Sequence, residues 1–79
     1  MDRKLTALLA EVFNIKEAEI APELTKNDVG NWDSLTQMEV VVSLEREYNV
    51  SLGIPDIVRM ISVAAIMDVL REKGISLEN

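Results

Sequence analysis

The stretch Asp33-Ser34-Leu35-Thr36, with Gly30-Asn31-Trp32 before it and the apolar run Met38 to Tyr48 after it, puts a serine hydroxyl where a loop turns into a helix. A hydroxyl in that position is suited to carrying an esterified anion. The first turn of a helix leaves backbone N–H groups unpaired and carries the positive end of the helix dipole, so a phosphate on Ser34 would sit in a favourable field. The same residues admit a purely structural role. Asp and Ser are favoured N-caps, and Ser34 with Gln37 has the spacing of a capping box.

Composition narrows the chemistry further. The chain has 79 residues, enough for one domain over 1–79 with one modest core and too few for both a deep cleft and a catalytic framework. It has no His and no Cys, which removes thiolate catalysis, disulfides and the commonest general base and metal ligand. A net charge of −6 disfavours nucleic acids and anionic membrane surfaces, and points to basic protein partners. Arg3 and Lys4 precede the apolar Leu5 to Ala10, but Glu11 interrupts the run too early for a secretory signal. No stretch is apolar enough to span a bilayer, so a soluble, cytoplasmic protein is expected.

The elements that must position Ser34 are helical by pattern. Aromatic residues make up only 4% of the chain, leaving a core of Leu, Ile, Val, Met and Ala. Asp2 caps a first helix with Leu5, Leu8, Leu9 and Val12 at three-four spacing, ending near Phe13 at Asn14. Ile15 to Trp32 has no sustained period and reads as a long loop, with Ile20, Leu24 and Val29 to pin it and a short turn possible at Lys16 to Glu19. The second helix runs from Ser34 to Tyr48. Val40, Val41, Leu44 and Tyr48 share one of its faces, while Leu35, Met38 and Val42 form an adjacent apolar stripe that is either buried in a central helix or exposed. Pro55 suits the first position of a short helix through Met60. Ser62 caps a last helix with a Val63, Ile66, Met67, Leu70 stripe, closed by Gly74 and Ile75, and Ser76 to Asn79 is expected to fray. The fold class is therefore all-α, a small four-helix bundle of three longer helices and one short one, with a long loop between the first two. Its aliphatic interior could admit an acyl chain between helices. Trp32 is expected to anchor the loop where it enters the second helix.

The Asp33-Ser34-Leu35 triplet, with Glu39 five residues after Ser34 in a small acidic chain lacking His and Cys, resembles the acyl carrier protein family over nearly all its length. The resemblance implies that Ser34 carries 4′-phosphopantetheine, transferred from coenzyme A by a phosphopantetheinyl transferase. Asp33 would cap the helix beside the site, and Leu35 would flank the arm. The arm supplies the thiol that holds cargo as a thioester, so the chain needs no cysteine, catalytic residue or metal of its own. Leu35, Met38 and Val42 would form the partner face, with Glu39 and Glu45 meeting basic residues on an acyl-loading ligase or acyltransferase and on a downstream synthase or transferase. The protein would be a monomeric carrier and not an enzyme. Many fatty-acid-synthesis members have an acidic residue where Thr36 stands, which suggests a specialised stand-alone member. Two alternatives are an aminoacyl or peptidyl carrier for a dedicated ligase, and a non-catalytic helical interaction domain in which Ser34 is only a cap.

Overall fold

Asp2 starts the first helix. Its carboxylate accepts from Leu5 N at 3.0 Å, and α1 runs Arg3–Phe13 in this computed structural model, which describes residues 1–78. Leu5, Leu8, Leu9 and Phe13 turn inward, following their spacing. Asn14 stops the helix in the left-handed conformation, φ 57°, while Ile15 N donates back to Ala10 O at 3.0 Å. Asn tolerates that backbone better than most residues, so the loop leaves at a fixed angle.

The long loop contains one 3-10 turn, Glu17–Glu19, and is held by both apolar and backbone contacts. Ile20 and Val29 are buried, and Leu24 packs against the core from a partly buried position. Lys26 N donates to Ile61 O, Val63 N to Leu24 O and Ala64 N to Pro22 O, at 2.9 to 3.1 Å. These bonds stitch the loop to the start of the last helix and satisfy backbone groups that helices or sheets would otherwise pair.

Three more helices complete the bundle: α2 Ser34–Tyr48, α3 Ile54–Arg59 and α4 Val63–Glu72. Val40, Val41 and Leu44 of α2 are buried with Leu5, Leu9 and Phe13 of α1 and with Val63, Ile66 and Leu70 of α4. Each such side chain contributes about 1.5–3 kcal/mol by leaving water. Pro55 is the second residue of α3, not the first, because Gly53 is the cap and Ile54 already has helical backbone. At its other end α3 stops at Arg59, with Met60 as the cap.

Two surface ion pairs tie α3 to α4 and its C-cap. Arg59 makes a forked contact to Glu72 at 2.8 and 2.7 Å, and Lys73 meets Asp56 at 3.0 Å. The α4 terminus is a Schellman motif in which Ile75 N donates to Leu70 O and Gly74 N to Arg71 O, both at 3.0 Å. Gly74 takes φ 90°, a backbone region where a side chain would be strained. The expected fraying does not extend through Glu78: Leu77 packs against the core, and Glu78 N donates to Asp2 Oδ2 at 3.2 Å. Asn79, the last residue of that expected tail, lies outside the described residues.

Candidate functional site

Ser34 is the first residue of α2 and is exposed. The cap belongs to its neighbour. Asp33 Oδ1 accepts from Thr36 N at 2.9 Å, and Asp33 O accepts from Gln37 N at 2.8 Å. Bonding to the Thr36 backbone N–H, then to its side chain, holds the Asp33 carboxyl below the usual carboxylate range, so it is ionised at neutral pH. The Ser34–Gln37 capping box is not formed. With Asp33 as the cap, Ser34 keeps its hydroxyl at the positive end of the helix, where an attached phosphate diester fits the outward-facing first turn.

Gln37 is instead the buried centre of a network beneath Ser34. Its Oε1 accepts from Trp32 Nε1 at 2.6 Å, and its Nε2 donates to Ile57 O at 3.0 Å and Met60 O at 3.1 Å. Trp32 is only 4% exposed and lies 4.4 Å from Phe13 between ring centroids, at an interplanar angle of 35°. The indole thus anchors the loop to α1 as expected from sequence, and Gln37 carries that anchor across to the end of α3. Sequence reading missed Gln37 in this role. The available signal was a polar residue on the buried face of α2 one turn after the serine, since buried amides require partners.

The second apolar stripe of α2 faces solvent. Leu35 is 73% exposed, Met38 49% and Val42 54%. They line a shallow groove of about 340 Å³ together with Glu39, Ser43 and Arg46. Met38 therefore differs from the buried Met60 and Met67, which fill the core. Glu45 has a different immediate partner: its Oε2 accepts from Leu52 N at 2.9 Å, fixing the chain after α2. Arg46 was not expected in the groove, although its position eleven residues after Leu35 puts it on the same helix face. Its Nε contacts Glu47 at 3.2 Å. Thr36 is 6% exposed, so its side chain has little surface to offer a docking enzyme.

A family model described as the phosphopantetheine attachment site matches residues 3–70, from the first residue of α1 to within α4. The chain belongs to that family. Among solved structures, the solution structure of the holo acyl carrier protein from Geobacter metallireducens matches with a TM-score of 0.80 at 28% identity, covering 90% of this chain and 82% of that one. The helical carrier fold follows from that likeness. This chain is accordingly a non-catalytic carrier of acyl intermediates on a covalently bound 4′-phosphopantetheine arm. Such carriers work with phosphopantetheinyl transferases and acyl-processing enzymes. No helix among the described residues is long and apolar enough to cross a membrane.

Proposed function

We propose that Ser34 is the attachment residue and that the carrier presents its acyl cargo along the exposed face of α2. The observation that carries this reading is the division of labour at the helix start. Asp33 performs the capping, which leaves the neighbouring hydroxyl exposed at the dipole's positive end. The bound arm supplies a thiol that holds the acyl group as a thioester. Asp33 and the first turn fix where that arm leaves the protein, while Trp32 and Gln37 fix the loop behind it.

Leu35, Met38 and Val42 provide the apolar contact to the partner, with Glu39 at the groove for a basic residue. Glu45 stands at the edge of this face, with Leu52 N–H already on its carboxylate. The partners we assign are a phosphopantetheinyl transferase, a loading ligase or acyltransferase, and a downstream synthase or transferase. A monomer in the cytoplasm, where coenzyme A and such enzymes meet, completes the reading.

Incubation with coenzyme A, magnesium and a broad-specificity transferase tests Ser34 directly. Intact mass should show one phosphopantetheinyl group, and Ser34→Ala should remain helical and unmodified. No mass gain with a transferase active on a control carrier, or a peptide map placing the group on Ser43, Ser51 or Ser62, would overturn the assignment.

A further inference from the structure

We propose that this carrier keeps its cargo outside the helical core and is matched to short acyl groups, because the Trp32–Gln37 pair closes the seam between α2 and α3 beneath Ser34. The proposal rests on Ser34 being the attachment residue. Gln37 lies one helical turn into α2 from that serine and is 8% exposed. Its amide spans the seam with both ends in use, accepting from the Trp32 indole and donating to Ile57 O and Met60 O at the end of α3. On the α1 side of the same helix start, the Trp32 ring occupies the space against Phe13.

An aliphatic core would otherwise welcome a linear chain threaded between helices. Here a chain entering at Ser34 must displace either the amide or the indole. Displacing the amide breaks three hydrogen bonds and strands the Trp32 N–H in an apolar setting, where an unpaired group is strongly disfavoured. Displacing the indole exchanges its buried surface for that of the incoming methylenes, so lengthening the cargo brings little net burial. No buried side-chain nitrogen or oxygen among the described residues lacks a partner, as expected of a closed seam. The grooves of about 300, 340 and 520 Å³ lie elsewhere, between α1 and α2, along the outer face of α2, and beside Thr25 and Ile61. A short acyl group on the arm stays accessible to its enzyme without extraction from the interior, whereas a long one would remain exposed to water.

The test loads the full chain from acetyl-, hexanoyl- and octanoyl-coenzyme A with a broad-specificity transferase. Intact mass confirms one group, and that step alone reports on Ser34, so failure there is distinguishable from failure of the cargo proposal. Proton–nitrogen spectra then follow the Trp32 Nε1–H and the Gln37 side-chain amide, and thioester hydrolysis is timed at mildly alkaline pH. The expected result is coincident indole and amide signals in the three forms, with hydrolysis half-lives agreeing within about twofold because no burial separates them. An indole signal that moves with chain length, or an octanoyl thioester protected well beyond the acetyl one, overturns the proposal. Gln37→Ala should open the seam, so that the octanoyl form alone shifts the indole signal and hydrolyses several-fold more slowly than the acetyl form. If that variant does not fold, Gln37→Val supplies the same comparison. A folded variant that still excludes the octanoyl chain overturns the assignment to Gln37.

Discussion

Trp32→Phe separates the two things the indole does. The substitution keeps an aromatic ring against Phe13 but removes the N–H that Gln37 Oε1 accepts at 2.6 Å. A buried acceptor left without its donor costs about 1–3 kcal/mol. Trp32→Ala also removes the ring itself, and large-to-small changes at buried Trp or Phe cost about 3–5 kcal/mol. A chain of 79 residues has roughly 4–12 kcal/mol of total stability at ordinary values per residue. The Phe variant should therefore fold with a melting temperature lowered by about 4–8 °C for each kcal/mol lost, whereas the Ala variant should sit near the edge of folding. Urea unfolding followed by circular dichroism at 222 nm measures both without relying on the lost fluorophore. Transferase loading of the folded Phe variant should slow, because the loop leading into Ser34 has lost its hydrogen bond to Gln37. A Phe variant within about 0.5 kcal/mol of wild type would show that the hydrogen bond adds little, and would refute the network as the support of the site.

Met38→Ala should speed dissociation from the transferase by removing apolar contact, while Glu39→Lys should slow association with a basic partner and reduce its salt dependence, both measured by stopped-flow or surface binding. Equal constants for both variants and wild type would move the partner face elsewhere. Acid should destabilise the fold through Asp2, whose carboxyl is held below the ordinary value of 3.8 chiefly by the Leu5 N–H. That contribution is complete above the ordinary value and is lost as pH falls through the lower folded value; Asp2→Asn should flatten this limb of the unfolding midpoint against pH. Tyr48 acts at the other end: burial, then the Asp2 charge, pushes it up to about 12, so its contribution is complete below 10 and disappears as pH rises through about 12. Tyr48→Phe should flatten the alkaline limb in the same titration. Thr36→Asp should lower the melting temperature, because Thr36 is buried beside the Asp33 carboxylate, and a gain in stability would contradict that placement.

The helices were readable because their signals are local. Apolar residues at three-four spacing in α1 and α4, Asp2 and Ser62 at their starts, and Gly74 after the last one all act within a turn or two of chain. The exposed Leu35, Met38 and Val42 stripe was harder, since periodicity reports that a second apolar face exists without saying what covers it. That answer depends on which helices pack around α2. The contacts of Gln37 and Glu45 were not legible for the same reason: their partners are Ile57 and Met60, and Leu52, at distances along the chain that no local pattern encodes. The capping box failed because the helix is capped one residue earlier, by Asp33: its backbone carbonyl accepts from Gln37 N, and the Gln37 amide is engaged with Trp32, Ile57 and Met60. The tail fared likewise, since Glu78 is held by a residue at the other end of the chain.

That last contact has a consequence for how the carrier can be handled. The Asp2 carboxylate gathers the beginning of α1, the end of α2 through the Tyr48 hydroxyl at 3.4 Å, and the backbone of Glu78. Ser34 stands at the opposite end of α2, about 21 Å away along a helix of 15 residues. The molecule thus has a pole where the polypeptide comes and goes and another from which the arm swings. A tether, a tag or a neighbouring module joined at either terminus attaches at the first pole, and the serine is left facing away from it.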